Sequence, residues 1–481
     1  MNIRSPVVTI LGHVDHGKTT LLDYIRKTKL ANKEFGGITQ KIGAYEVKTN
    51  ISGYKNEKIT FIDTPGHEAF SKLRSRGANV ADLSLLIIDA KDGIMPQTIE
   101  SISHIKAAKI PFIVVLNKID LPDADPEKVK LQLGKYGVLV EGKGGKIPVV
   151  EISAKTGAGV NDLLESILLL SNELNLTYNA KNPPLGYIIE TKKDKRGIVT
   201  SVILKDGQLK IGDVIYCKDN QAKIRSLVND LGMRLEIVYP STPFELLGFE
   251  KQPEVGSLIG DKKISEEKQN IITSLPYYNI DNLLSSQEEK KQLSLIIKAD
   301  SQGSLDALEQ SLLKNKNLEI ILKGVGEITK SDIFLAKTTK AIIVGFNIPL
   351  SKEIKEMADQ EKVIIKTYHL IYELIEELAE VSQLLKEKQE KEKNLKGEAK
   401  ILANFIIDGE KVYGIKVIRG KFNLGDQIEV FRNGKLLGKT KLVSLKIRAK
   451  KINEVKKEQE AGMIFDPTLD ITIGDVIKSI L

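Results

Sequence analysis

The chain has 481 residues, 41% of them hydrophobic, enough for roughly three or four domains with separate cores. Lysine and arginine (72) exceed aspartate and glutamate (64), a net charge of +8 that permits an RNA partner without requiring one. The single cysteine, Cys217, excludes an intrachain disulfide and fits a reducing, cytoplasmic compartment, and the lack of tryptophan with 5% aromatics argues against a stacking platform for single strands. No apolar run is long enough to span a bilayer, so no membrane association is expected, and the N-terminal apolar run is too short for a secretory signal.

From residue 6 to about 172, aliphatic runs alternate with amphipathic stretches. The runs "PVVTIL", "KITFIDT", "LSLLIIDA", "PFIVVLNK" and "IPVVEISA" are nearly continuous in apolar residues, as strands buried on both faces of a parallel sheet are. Helices are predicted between them at 18–27, 97–108 and 160–174, the βαβ rhythm of a doubly wound α/β domain over residues 1–175. After Asn182-Pro183-Pro184 the pattern turns to short strands and turns, a β-barrel over 182–262 that includes Cys217 as a small buried residue. A polar linker is expected over 263–291, and a small α/β domain over 292–370.

The stretch 371–396 lacks glycine and proline and pairs Glu387 with Lys391 and Glu392 with Lys396 in the order a helix favours. It reads as a connecting helix, with a charged tether as the alternative. A terminal β-barrel over 397–481 follows. "GQLKIGDVI" at 207–215, "GKFNLGDQIEV" at 420–430 and "LDITIGDVI" at 469–477 form a weak repeat, read either as shared turn chemistry or as two barrels of related build; the similar β-rich settings favour the second.

The segment "GHVDHGKTT" between the first strand and the first helix holds Gly12, His13, Val14, Asp15, His16, Gly17, Lys18, Thr19 and Thr20. It satisfies G-x-x-x-x-G-K-[ST]. In such a loop glycines let backbone N–H groups converge on phosphate, the lysine meets the β- and γ-phosphates and the Thr19 hydroxyl ligates Mg²⁺. Asp63, at the end of the next run, is placed to hold Mg²⁺ through water, and Gly66 offers an N–H to a γ-phosphate. In Asn117-Lys118-Ile119-Asp120 a carboxylate can accept from guanine N1–H and the N2 amine, donors adenine lacks. A site built on such bonds discriminates by about 10⁴. Ser153, Ala154 and Lys155 are placed to wrap the base edge. Four such elements, each at the C-terminal end of a predicted strand, specify GTP or GDP. Gly36 to Gln40 reads as a mobile loop whose Thr39 meets Mg²⁺ when a γ-phosphate is present, with an ordinary surface loop as the alternative. His67 falls beside the γ-phosphate, where a side chain can orient water. His13 and His16 read as loop-shaping, His104 and His369 as structural; no zinc spacing occurs.

"GGITQKIGAYEV", "FIDTPGHEAF", "DGIMPQT", "NKIDLP" and "SAKTGAGV", together with the histidine-bearing phosphate loop, resemble the GTPase domain of bacterial-type translation initiation factor two. "IIKADSQGSLDALEQSL" and "IRGKFNLGDQIEVFRNGKLL" resemble its third domain and last barrel. The resemblance implies the fold order GTPase domain, barrel, α/β domain, long helix, barrel, and a factor monomeric off the ribosome. It implies GTP-dependent binding of formylmethionyl initiator tRNA on the small subunit, promotion of subunit joining to the large one, and ribosome-stimulated hydrolysis. By the same resemblance His67 is the catalytic histidine, Thr19 and Thr39 ligate Mg²⁺, Val14 and Ile38 form an apolar gate, and Asn117 and Asp120 read guanine. An elongation-type carrier of aminoacyl-tRNA and a GTP-gated RNA-binding switch are the alternatives. Two departures stand out: this sequence starts almost directly at its first strand, where the family usually carries a long N-terminal extension, and Glu460-Ala461-Gly462 replaces the family's Glu-Cys-Gly. Glu460, Ala461, Gly462 and Phe465 are the candidate tRNA-binding residues, with the basic run 446–451, equally readable as a solvated face, beside them.

Overall fold

A computed structural model describes residues 1–28, 39–49, 51, 53–54, 57–262, 292–315, 317–393, 395–407, 410–448 and 450–480, with 388–393 by backbone alone. The expected linker 263–291 and the residues Gly36, Gly37 and Ile38 lie outside the described residues. The chain forms two compact units, Met1–Glu377 and Leu378–Leu481.

The first unit opens with β1 (Asn2–Ile3), β2 (Val7–Gly12), α1 (Lys18–Arg26), β3 (Gly43–Lys48), β4 (Lys58–Asp63), α2 (Ser71–Val80), β5 (Leu83–Asp89), α3 (Pro96–Ala108), β6 (Phe112–Asn117), α4 (Pro126–Lys135), β7 (Val149–Glu151), α5 (Val160–Glu173) and β8 (Thr177–Tyr178). The sheet order is β3-β4-β2-β5-β6-β7, parallel except for the edge strand β3. The five expected parallel strands are present, and β2 and β5 are buried at every residue, which is why they read as unbroken apolar runs. One core lies on each face, around Ile10, Leu85 and Ile167 on one side and Leu86, Ile102 and Leu133 on the other. The edge strand β3 is half-buried, so its sequence "GAYEVK" carries no apolar run to betray it. Helices α2 and α4 escaped the sequence reading as well: α2 has the sequence "SKLRSRGANV", with few apolar residues.

A barrel follows, built from β9 (Leu185–Asp194), β10 (Gly197–Asp206), β11 (Leu209–Lys210), β12 (Val214–Cys217), β13 (Asn220–Asn229), β14 (Arg234–Leu235), β15 (Ile237–Val238), β16 (Pro243–Phe249) and β17 (Leu258–Gly260). Cys217 sits in its core, 1% exposed. The small α/β domain comprises β18 (Leu293–Ala299), α6 (Gln302–Leu312), β19 (Leu318–Val325), α7 (Lys330–Thr339), β20 (Ile342–Phe346), α8 (Lys352–Glu361) and β21 (Ile365–Tyr368), in a parallel sheet ordered β19-β18-β20-β21. The connecting segment is helical, α9 (Ile371–Lys393), ending three residues short of the expected boundary because strand begins at Leu395.

The terminal unit holds β22 (Leu395–Ile407), β23 (Glu410–Asn423), β24 (Gln427–Arg432), β25 (Lys435–Ile447), β26 (Lys450–Lys451), β27 (Glu454–Lys456), β28 (Glu460–Asp466) and β29 (Val476–Ile480). The weak repeat has a structural meaning. Label the main strands of each barrel A to F in chain order: β9, β10, β12, β13, β16, β17 and β22, β23, β24, β25, β28, β29. Both then close in the ring order A-B-E-D-C-F. In each repeat the glycine has positive φ, and the aspartate that follows accepts from the N–H three residues earlier: Lys210 to Asp213, Asn423 to Asp426 and Thr472 to Asp475, each at 2.8 Å. Turn chemistry and related build are both present.

Contacts within the first unit tie its three domains together. Asp82, between α2 and β5, accepts both arms of Arg4 (2.5 and 2.7 Å) and the ammonium of Lys205 in β10 (2.8 Å). Burial alone would raise the Asp82 carboxyl, but the Arg4 hydrogen bond and the Lys205 charge outweigh it and hold the group below the usual carboxylate range. Glu190 in β9 is buried against the start of α6, where it accepts from Ser301 Oγ (3.1 Å) and Gly303 N (3.1 Å); burial pushes its carboxyl up to about 7. Asp82→Asn leaves two cations facing a buried neutral amide. It is expected to destabilise the chain by about 3–5 kcal/mol, read as a lower midpoint in urea at pH 7. The Asp82 contribution is present above the ordinary carboxylate pKa and disappears as pH falls through the lower folded value, so the gap between the two proteins narrows in acid.

Candidate nucleotide site

The site forms at the C-terminal edge of the parallel sheet, where four loops converge. The first runs from β2 into α1. Asp15 and Gly17 have positive φ (62° and 89°), and a Cβ on Gly17 would run into Asn117 Nδ2, so this turn requires glycine. The Lys18 side chain is 6% exposed; its Nζ donates to Gly12 O (3.1 Å) and His13 O. Burial pulls the ammonium down to about 8, with the Asp63 carboxylate opposing and the Arg74 charge assisting. A buried cation facing backbone carbonyls on a loop of this shape fits a polyanion. His16 is 1% exposed, and its Nδ1 accepts from Asp89 N (3.2 Å); burial and the His13 ring bring it down to about 4, a neutral loop-shaping residue. His13 packs edge-on against it, ring centroids 5.0 Å apart. Thr20 and Asp15 are exposed on the rim.

The second loop follows β4. Asp63 is 5% exposed, and the Thr64 hydroxyl donates to Ile10 O at 2.7 Å, holding this loop against β2. Gly66 lies so close to the phosphate loop that a Cβ there would stand 2.5 Å from Lys18 Nζ and 3.0 Å from Val14 N. His67 comes next, half-buried at the start of a 3-10 turn, Glu68–Phe70. Its Nδ1 accepts from Ala69 N (3.2 Å), so the neutral ring carries its proton on Nε2. Burial lowers the imidazole, Glu68 opposes and Arg74 adds to the lowering, so the ring is neutral at pH 7.

The third element is Thr39, whose Oγ1 lies 2.7 Å from Thr19 Oγ1. The two hydroxyls are hydrogen-bonded to each other, and oxygen donors of this kind are the type that would suit Mg²⁺.

The base loops complete the site. Asn117 is 1% exposed, and both ends of its amide are engaged: Nδ2 donates to His16 O (2.8 Å) and Oδ1 accepts from Ala154 N (2.9 Å). Each end of the amide keeps one hydrogen-bonding position beyond these contacts, so the carboxamide joins the phosphate loop to the 153–155 loop and can still face a base. Asp120 is exposed, with its carboxylate held by no other described residue. Lys118, at φ 65°, pairs with Asp89 at 2.7 Å. Ser153 Oγ accepts from Thr156 N (3.2 Å), fixing the loop, and Lys155 is exposed.

Three residues went unassigned in the sequence. Gln97, at the start of α3, accepts from Val14 N (3.0 Å). Buried Arg74 donates to carbonyls of the His67 loop and to Glu100. Gln40 donates to His369 O (2.7 Å) and accepts from Ile371 N (3.1 Å). Gln97 and Gln40 lie inside the "DGIMPQT" and "GGITQ" stretches, which are the signal; a buried arginine on a polar helix leaves none.

In the terminal unit β28 alternates. Ala461 (6%) and Phe465 (2%) face the barrel core, while Glu460 is exposed and Gly462 half-buried. Ala461 and Phe465 are therefore core residues and offer no surface to a ligand, contrary to expectation. Lys446 in β25 pairs with both Gly462 and Lys451, so the basic run does adjoin Gly462.

A phosphate loop, a histidine-bearing loop and a base loop at one sheet edge define a P-loop GTPase. The Elongation factor Tu GTP binding domain family matches residues 3–172, the Elongation factor G domain 2 family residues 183–261 and the Translation-initiation factor 2 family residues 270–379. Translation initiation factor IF-2 of Thermotoga sp. (strain RQ2) is 42% identical, over 99% of this chain and 71% of that protein. The factor of the same name from Syntrophomonas wolfei is 41% identical, over 99% of this chain and 55% of that protein. Among solved structures, GDP-bound aIF5B from Aeropyrum pernix is 26% identical, covering 99% of this chain and 92% of that one at a TM-score of 0.47. The chain belongs to the translation initiation factor IF-2 family, and it spans little more than half the length of the Syntrophomonas relative.

A phosphate placed against Lys18 would raise its lowered ammonium pKa again, so the protein is expected to take up a proton with a phosphate ligand. With a free-state value of about 8, GDP affinity is expected to be level below pH 7 and to fall by up to about tenfold per pH unit above 8. Calorimetry of GDP binding at pH 8.5, in buffers of different ionisation enthalpy, reads the uptake directly.

Proposed function

We propose that this chain is a GTP-dependent translation initiation factor that binds formylmethionyl initiator tRNA on the small ribosomal subunit, promotes joining of the large subunit and hydrolyses GTP when the ribosome completes its site. The observation that carries the reading is the meeting of Gly66 with Lys18 and Val14, which brings the His67 loop against the phosphate loop. Lys18 holds the β- and γ-phosphates, Gly66 N–H the terminal one, and Asp120 the guanine edge, with Asn117 keeping the two loops in register. Thr19, Thr39 and Asp63 hold Mg²⁺, which when bound offsets the phosphate charge. The neutral His67, with Nδ1 occupied by Ala69 N–H, uses Nε2 to orient the attacking water once the ribosome fixes the loop. Val14 belongs to the apolar gate, together with Ile38.

Nucleotide state reaches the rest of the first unit through Thr39. The next residue, Gln40, holds the main chain at the start of α9, and Lys41 pairs with Asp300 at 2.6 Å. The terminal barrel carries the tRNA contact, with Glu460 and Gly462 outward and Lys446, Lys450 and Lys451 exposed beside them.

His67→Ala is expected to keep GDP affinity and to lose about 10² or more of the ribosome-stimulated rate in multiple-turnover assays; full turnover would overturn the role given to His67. Charge reversal of Lys446 and Lys451 together is expected to weaken filter binding of formylmethionyl initiator tRNA about tenfold and to flatten its salt dependence. Unchanged binding would move the tRNA site off this face.

A further inference from the structure

The proposed chemistry of the histidine loop depends on what holds that loop in place. Arg74 lies in α2, fully buried. Its Nη1 donates to three consecutive carbonyls, those of Pro65 (2.9 Å), Gly66 (3.1 Å) and His67 (2.6 Å). Its Nη2 donates to both oxygens of Glu100 in α3, at 2.9 and 2.8 Å. Glu100 in turn meets His104 Nε2 at 3.1 Å, and that nitrogen lies 3.3 Å from Ser71 Oγ.

A guanidinium removed from water is costly unless paired and hydrogen-bonded, so this arrangement is stable in a single backbone conformation of residues 65–67. In a trans peptide the C=O and N–H point opposite ways. Drawing the carbonyls of Pro65 and Gly66 toward Arg74 therefore turns the N–H groups of Gly66 and His67 away from it. Gly66 there faces Lys18 and Val14. One helical turn before Glu100, on the same helix, Gln97 accepts from Val14 N at 3.0 Å. Helix α3 thus fixes both loops between which a γ-phosphate would lie.

We infer that Arg74 and Glu100 are positioning residues for GTP hydrolysis, acting through the backbone of the His67 loop, with Gln97 setting the facing phosphate loop from the same helix. The inference rests on the proposed role of His67. Glu100→Gln keeps the shape and weakens the clamp. Arg74→Lys keeps the buried charge and cannot span the three carbonyls and Glu100, so it tests the same clamp from its other side should Glu100→Gln not fold.

In single-turnover GTP hydrolysis with purified ribosomes, either variant is expected to lower the maximal rate about 10- to 100-fold. The half-saturating ribosome concentration and the GDP Kd should stay close to those of the unsubstituted chain, whereas the melting temperature is expected to fall, because the buried Arg74–Glu100 pair is weakened. In a His67→Ala background the same substitution should add no further loss, since both act through one group. A full rate in either folded variant overturns the inference. So does a loss shared proportionately by GDP affinity, or one that adds to that of His67→Ala. If His67→Ala itself hydrolyses normally, it is the reading of His67 that fails.

Discussion

A cation with little access to water organises this site. Lys18 is buried under its own loop, hydrogen-bonded to main-chain oxygens that carry partial charges only, and its ammonium holds its proton less tightly than a lysine in solvent does. An anion placed against it would relieve that deficit. Around it stand a glycine where the loop passes Asn117, a glycine where the histidine loop comes closest, and two histidines that burial keeps neutral.

The two barrels show how little sequence is needed to repeat an architecture. They share a ring order, yet what the sequence retains is a glycine with positive φ and an aspartate bonded to the amide three residues back. That turn has one workable chemistry, whereas a barrel strand needs only alternation of inward apolar residues. In β28 the alternation decides which side chains reach the surface. It turns Ala461 and Phe465 inward and leaves Glu460 to the surface.

Much of the fold was legible because its strands are buried on both faces and its phosphate loop needs particular residues. The edge strand β3 and the helices α2 and α4 were not, for their apolar content is thin and tertiary contacts make up the difference. At the site, Gly66 meets Lys18, and Thr19 meets Thr39. Asn117 does more than its motif implied, because its buried amide also ties the phosphate loop to the 153–155 loop. Arg74 and Glu100 were invisible: their meaning lies in which carbonyls face them, and no spacing along a chain encodes that.

Thr39 and Gln40 are consecutive, so their Cα atoms are about 3.8 Å apart. One side chain touches the hydroxyl of Thr19; the next grips the carbonyl before a long helix and the first amide within it. No spacer separates the two contacts. A substitution that shifts the backbone at Thr39 to alter one of them therefore shifts the other, and the pair can only vary together.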